Sequence, residues 1–87
     1  MDRQRIDKWL WHARMVRTRS DAAALAEAGH VRLNGKRITT ASQPVRTGDV
    51  VTVALDRAVR VVQVEGFCEK RGGAPAARGL YRDVPQA

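Results

Sequence analysis

The residue types best suited to chemistry in this sequence are arginines and hydroxyl side chains, and four of them are consecutive: Arg17, Thr18, Arg19 and Ser20. The alanine-rich segment after them predicts a helix that begins here, with Thr18 and Asp21 forming a capping box or Ser20 acting as the rival cap. A helix start offers unpaired backbone N–H groups and the positive end of the helix dipole. With arginine forks on both sides, the pattern is typical of a phosphate-binding site.

A second basic element is the segment HVRLNGKRI at residues 30–38. Its Asn-Gly pair predicts a two-residue type I′ turn, because both residues tolerate positive φ angles. That register places Arg32 directly opposite Arg37, where like charges destabilise a strand pair, while Val31 and Ile38 lie on the other face. An anionic partner on the arginine face would relieve the repulsion.

If the helices pack against this hairpin, further basic side chains extend the phosphate site into a groove. The first helix would contribute Arg5, Lys8 and Arg14, and the hairpin would add Lys36. Few acidic residues lie between these positions to balance the charge. A run of charges is often no more than a solvated face, and this alternative stays open for each single residue.

Other kinds of chemistry have few candidates. Cys68 is the sole cysteine, so it forms no internal disulfide, and with His12 and His30 it makes no zinc spacing. We expect a half-buried structural thiol with no base beside it, and histidines that are hydrogen-bonded or exposed. Asp7 fits a structural pairing with an arginine or a helix cap, and Asp49 follows a turn glycine. The sequence therefore predicts no metal, no cofactor and no catalytic residue.

The chain of 87 residues has a formal net charge of +7. This length predicts one small domain, and the charge favours a polyanionic partner, with nucleic acid first. No segment reaches the roughly 20 apolar residues of a membrane span. Charges interrupt the apolar residues of the N-terminus, unlike those of a secretory signal. We expect a cytoplasmic protein with no membrane partner.

The first helix is predicted over residues 5–16, where apolar side chains recur every three or four positions. The stripe that would face the core consists of Ile6, Trp9, Leu10, Ala13 and Val16. The face turned away from it would carry Lys8, Trp11, His12 and Met15. Trp11 has two interpretations: it stacks on an unpaired base, or it is covered by Leu80 and Tyr81, which we favour.

The rest of the chain predicts a second helix ended by Gly29, then strands near residues 50–55 and 59–67 joined by a turn at Asp56-Arg57. The fold class is therefore α+β, with two short N-terminal helices packed on a small, mostly antiparallel sheet. Residues 1–67 form the domain, with its core motif at 5–55. Residues 68–87 form a basic, flexible tail rich in Gly, Pro and Ala, with at most one docked piece around Leu80 and Tyr81.

The succession RIDKWLW, VRTRSDAAALAEAGHVRLNGKRI and PVRTGDVV resembles the S4-type RNA-binding domain, also called the αL motif. More narrowly, DKWLW, the Thr-Arg pair after Arg17, FCEKRG and the later Leu80-Tyr81 are similar to the heat-shock protein fifteen family. The resemblance implies two helices and a hairpin that bind RNA at the helix starts and the hairpin tip. It also implies binding to ribosomal RNA of the large subunit and rescue of subunits that still carry a nascent chain on tRNA under heat stress.

Carried over position by position, the RNA-binding face comprises Arg5, Lys8, Arg14, Arg17, Thr18, Arg19, Ser20, Arg32, Asn34, Lys36 and Arg37. We expect a non-enzymatic monomer that binds structured RNA, with tRNA as a further candidate partner. One alternative is the RNA-binding remnant or accessory of an RNA-modifying enzyme, because the same module occurs fused to such enzymes. Another is a DNA-binding regulator, although a second helix made mostly of alanine reaches few base edges.

Overall fold

The computed structural model describes residues 2–85, which form three helices and seven strands. Five strands make an antiparallel sheet in the order β3-β2-β5-β6-β7, and β1 pairs with β4 in a separate two-stranded sheet. The elements are β1 (Arg3–Arg5), α1 (Ile6–His12), α2 (Arg19–Glu27), β2 (Val31–Leu33), β3 (Lys36–Arg37), β4 (Pro44–Arg46), β5 (Val50–Ala54), β6 (Val59–Val64), α3 (Ala74–Arg78) and β7 (Tyr81–Asp83).

One face of the large sheet packs against α1 and α2, and this interface is the hydrophobic core. Alternate residues of the central strands, such as Val51 and Val53, point into it and are fully buried. The helices contribute Trp9 and Leu10 from α1 and Ala22 from α2, all with no exposed surface. The predicted α+β class, with two N-terminal helices on a mostly antiparallel sheet, is confirmed. In residues 2–85 no helix is long and apolar enough to cross a membrane.

The hairpin has the predicted turn and register. Asn34 and Gly35 have φ angles of 53° and 85°, as a type I′ turn requires. Arg32 pairs with Arg37 and Leu33 with Lys36, so the two arginines do lie opposite each other. Because side chains alternate along a strand, the two exposed arginines lie on the outer face of the sheet, away from the helices.

The first helix ends four residues earlier than predicted, at His12. Arg14 adopts a left-handed conformation with a φ of 58°, and its N–H donates to the carbonyl of Trp11. The N–H of Met15 donates to the carbonyl of Leu10, which completes a Schellman motif. Nothing in the residue types indicates this helix end, because the left-handed position after a helix usually holds glycine.

The second helix has both predicted ends. The Thr18 hydroxyl accepts the backbone N–H of Asp21 at 3.0 Å, so Thr18 rather than Ser20 is the cap. Gly29 ends the helix with a φ of 81°. Because the Thr18 cap holds the first turn of α2, the backbone position of Arg19, the first residue of this helix, is fixed.

The C-terminal segment is held to the sheet more extensively than predicted. A docked piece at Leu80 and Tyr81 is confirmed: Leu80 is 6% exposed, and Tyr81 begins the edge strand β7 beside β6. Arg60 of β6 bonds Asp83 of β7 at 2.7 Å, and its guanidinium lies over the Tyr81 ring. The boundary proposed between residues 67 and 68 stays a prediction.

Candidate nucleic-acid interface

The positive charge of the chain is concentrated in residues 3–37. Residues 3–37 contain nine Lys or Arg and three Asp or Glu, which accounts for six of the seven excess positive charges. The fold decides which of these side chains meet. It gathers some around one carboxylate and places others on the opposite face of the sheet.

The first group is the Asp7 cluster, which consists of Arg5, Asp7 and Arg19. Arg5 donates to both carboxylate oxygens of Asp7, from Nε at 3.1 Å and from Nη2 at 3.0 Å. The Nε atom of Arg19 lies 3.5 Å from Oδ2. The backbone N–H of Lys8 also donates to Asp7, at 2.8 Å. The predicted pairing of Asp7 with a neighbouring arginine is confirmed, and a second arginine joins it.

Exposure within this cluster is uneven. The Asp7 side chain is 4% exposed, whereas those of Arg5 and Arg19 are 52% and 42% exposed. The carboxylate therefore lies behind the two guanidinium groups, which face solvent with their remaining N–H donors. Ser20 is exposed one position along the helix, and the Thr18 hydroxyl is used by the cap.

The second group is the hairpin pair, Arg32 and Arg37. Within residues 2–85, neither forms an ion pair with a carboxylate, and the same holds for Lys36. The pair lines a shallow groove on the outer sheet face together with Thr52, Val59 and Val61. The aliphatic part of Arg37 lies against Gly29, where a Cβ atom would come within 3.2 Å of Cδ.

The remaining predicted residues have separate places. Arg14 donates from Nε to the carbonyl of Gly72 at 2.9 Å, so it points toward the C-terminal segment. Arg17 borders a groove of about 850 Å³ whose apolar lining includes Leu25 and Leu55. Lys8 is half-buried on α1. The single continuous groove expected from the sequence is thus divided, because strand alternation turns the hairpin pair away from the helices.

Asn34 and Asp49 stabilise the hairpin tip. Asn34 donates from Nδ2 to Asp49 Oδ1 at 3.1 Å and accepts the Val50 N–H at 2.9 Å. The other oxygen of Asp49 accepts the Arg46 N–H at 2.8 Å. The structural role predicted for Asp49 is confirmed, and Asn34 shares it.

Arg71 is a basic residue that the sequence did not single out. Its guanidinium lies 5.3 Å from the centroid of the Trp11 ring, and it donates to the carbonyls of Trp11 at 3.0 Å and Val16 at 3.2 Å. Trp11 is half-buried, with Arg71 over its ring, and its covering by Leu80 and Tyr81 stays a prediction. No local pattern links residues 60 positions apart, so the sequence offered no signal for this contact.

The expectation of no base beside Cys68 is wrong. Its Sγ atom lies 3.5 Å from Nδ1 of His12, which is 1% exposed because the segment around residues 66–71 covers that face of α1. The half-buried thiol itself is confirmed. Burial lowers the pKa of His12, and the positive charges of Lys8, Arg19 and Arg71 lower it further. In residues 2–85 no three His, Cys, Asp or Glu side chains group to hold a metal ion.

Comparison with known proteins agrees with this fold. Residues 4–51 match the S4 domain family. A heat shock protein 15 homolog from Aeromonas salmonicida is 42% identical over 80 residues, which are 92% of this chain and 60% of that protein. Small ribosomal subunit protein uS4 from Rhodopseudomonas palustris (strain BisB18) is 40% identical over 50 residues, or 58% of this chain and 24% of that protein.

Among solved structures, heat shock protein 15 of Vibrio cholerae, described as trimeric, superposes with a TM-score of 0.88 at 37% identity. The match covers 95% of this chain and 83% of that one. The present chain spans about 60% of the length of its curated heat shock protein 15 relatives. The resemblance read from the motifs is confirmed: the chain belongs to the S4 domain family, and within it to the heat shock protein 15 type.

Proposed function

We propose that this protein binds structured RNA of the ribosome without catalysing a reaction. The observation that carries the proposal is the Asp7 cluster, in which two half-exposed arginines lie beside the start of a capped helix. Such forks match the geometry of phosphate oxygens. Most contacts are made to the RNA backbone, so the shape of the RNA rather than its base sequence determines selectivity. Similarity to uS4 and to heat shock protein 15 supports a ribosomal partner.

The proposed partner is ribosomal RNA of the large subunit, and the proposed role is rescue of subunits that carry a nascent chain on tRNA under heat stress. The resemblance to the heat shock protein 15 family supports both. We place the protein in the cytoplasm, where ribosomes work. In a sedimentation profile of ribosomes, the protein travels with free large subunits. Its absence from that fraction, or its presence with small subunits alone, contradicts the proposal.

One copy of the chain is the proposed binding unit. All three residues of the Asp7 cluster come from a single chain, so the cluster needs no partner subunit. The Vibrio cholerae relative is described as trimeric, which makes a trimer the competing state. Sedimentation equilibrium of the free protein and of its RNA complex distinguishes the two.

The salt dependence of binding tests the proposal. If five or six phosphates are engaged, log affinity falls with log salt at a slope of roughly −4 to −5. Arg19→Ala and Arg37→Ala each weaken binding by about 1 to 3 kcal/mol and leave the fold intact. Arg78→Ala, on the exposed end of α3, removes the same charge as a control and changes affinity little. A flat salt response, or wild-type binding by both site variants, contradicts the proposal.

Competition with duplex DNA addresses the DNA-binding alternative. The solvent side of α2 presents exposed Ala24 and half-buried Ala23, which offer no hydrogen bonds to base edges. Ribosomal RNA therefore displaces the protein from duplex DNA at low molar excess in a gel-shift assay. Preference for the DNA would favour the regulator instead.

A further inference from the structure

We propose that Asp7 is a positioning residue of the RNA surface, whose buried carboxylate fixes Arg5 and Arg19 as a two-armed receptor for one backbone phosphate. This inference rests on the proposed function and assigns different roles to the three residues of the Asp7 cluster. The two arginines contact the RNA, and Asp7 acts on the RNA only through them.

The contacts of Asp7 account for both of its oxygens. Oδ1 accepts from Arg5 Nε at 3.1 Å and from the Lys8 N–H at 2.8 Å. Oδ2 accepts from Arg5 Nη2 at 3.0 Å and lies 3.5 Å from Arg19 Nε. The Lys8 N–H belongs to the first turn of α1. Its hydrogen bond therefore holds the carboxylate against the helix independently of the two arginines.

The direction of the remaining donors follows from these contacts. Arg5 meets the carboxylate with the edge formed by Nε and Nη2, and Arg19 meets it with Nε. Because a guanidinium is planar and rigid, its other N–H groups point away from the edge that is bonded. Both side chains are about half exposed, so those donors face solvent. A phosphate bridging the two groups would find donors already oriented.

Holding the two arginines in place before RNA binds reduces the side-chain entropy that is lost on binding. A free arginine on a surface loses rotamer freedom when it grips a phosphate, whereas an arginine fixed beforehand loses much less. Arg19 is also fixed through its backbone, as the first residue of a helix capped by Thr18.

If Asp7 only neutralised the charge of the two arginines, its removal would have the opposite effect on RNA affinity. The direction of the change in affinity therefore distinguishes the two roles. A carboxylate this close to a bound phosphate repels it, so a purely neutralising Asp7 would weaken RNA binding. Its removal would then tighten binding. If Asp7 positions the arginines, its removal loosens binding even though the protein gains one positive charge.

The experiment compares Asp7→Asn with wild type for binding of purified large-subunit ribosomal RNA at several salt concentrations. Asparagine has nearly the same shape and keeps one acceptor for the Lys8 N–H. We expect binding to weaken about 5- to 20-fold, with no steeper salt slope. The matched control is Asp21→Asn, an exposed carboxylate in the first turn of α2, which makes the same charge change and leaves binding equal or slightly tighter. Equal or tighter binding by Asp7→Asn overturns the proposal.

Two further variants separate the possible failures. Arg5→Lys and Arg19→Lys keep the charge but lose the planar fork of N–H donors, so each weakens RNA binding. This holds even if Asp7→Asn fails to fold, and wild-type binding by both lysine variants overturns the proposal.

In an Arg5→Ala Arg19→Ala background, Asp7→Asn causes no further loss of RNA affinity, and a further loss there shows that Asp7 acts by another route. If that double alanine variant itself binds like wild type, the proposed RNA site is wrong. If only the double variant weakens binding, the site stands and this inference alone fails.

Discussion

The Asp7 cluster and the hairpin pair each bring two arginines together, but their surroundings differ. Arg5 and Arg19 share a buried carboxylate, so their charges are stabilised in the free protein. Arg32 and Arg37 are cross-strand partners that, within the described part of the chain, have no carboxylate between them, so their charges repel. A pair of arginines can therefore either stabilise this fold in the free protein or destabilise it, and only in the second case does a bound anion relieve a repulsion between the two side chains.

The two groups are also separated by the core. Val31, next to Arg32, packs with the helices, so the neighbouring arginine faces the other way. Arg37 contacts Gly29 just beyond the last turn of α2, whereas Arg19 begins that helix. An RNA that contacts both groups must therefore bend around the domain or present two segments.

The largest expected effect is on the free energy of unfolding. Replacing Arg5 and Arg19 together by Ala leaves Asp7 buried without its charged partners, and stability falls by about 2 to 4 kcal/mol. Replacing Arg32 and Arg37 by Ala removes a like-charge pair, so stability is unchanged or rises by a few tenths of a kcal/mol. Urea unfolding of both double variants measures the difference. Equal losses would remove the distinction between the two groups.

A smaller effect is expected at the hairpin tip. Asn34→Ala loses the bonds to Asp49 and Val50 and places alanine at a positive φ, which lowers stability by about 1 to 2 kcal/mol. Asn34→Gly loses the same bonds but tolerates the φ angle, so it is less damaging. Urea unfolding ranks the two variants. If both match wild type, the tip does not depend on its side-chain bonds, and a direct role of Asn34 toward RNA becomes the better explanation.

The cap of α2 tests how firmly Arg19 is held. Thr18→Ala removes the bond to the Asp21 N–H and lowers stability by about 1 kcal/mol. Because Asp7 still holds Arg19, RNA affinity falls less than tenfold. Thr18→Ser keeps the cap and serves as the control. A loss of affinity as large as that of Arg19→Ala would show that the helix start, not Asp7, fixes the arginine.

Sequence reasoning predicted the features that depend on neighbouring residues. The Asn34-Gly35 turn, the Thr18 cap and the Gly29 helix end each follow from backbone preferences within a few positions. It did not predict the contacts that join distant segments, such as Arg71 over Trp11 or His12 beside Cys68. Nothing in a helical stripe shows which outer residues a later segment will cover.

At the candidate site the same limit applies. The pairing of Asp7 with a close arginine was predictable, because Arg5 lies two residues away. The contact between Arg19 and Asp7 was not predictable, because it depends on how α2 packs beside α1. The division between the Asp7 cluster and the hairpin pair follows from strand alternation, which was in the sequence, combined with the side on which the helices pack, which was not.

The smallest expected effect is on pH dependence, and it distinguishes the two groups once more. Burial holds the pKa of His12 below its usual 6.5, with help from the charges of Lys8, Arg19 and Arg71. The unfolded chain therefore takes up this proton at a higher pH than the folded one, so stability falls as the pH drops below about 7. The loss of stability continues until the pH reaches the pKa of His12 in the folded protein. This loss is smaller in His12→Gln, whereas His30→Gln, at an exposed position, leaves it unchanged.

Titration of the His12 ring by NMR measures the same coupling directly. Arg19→Ala removes one of the nearby positive charges, so the pKa of His12 rises toward its usual value. Arg37→Ala removes an equal charge from the outer sheet face and leaves the His12 pKa where it was. Equal shifts in the two variants would mean that His12 senses the net charge of the whole domain. Because a local field requires Arg19 to be close and Arg37 to be remote, unequal shifts would locate the two basic groups on opposite sides of the core in solution.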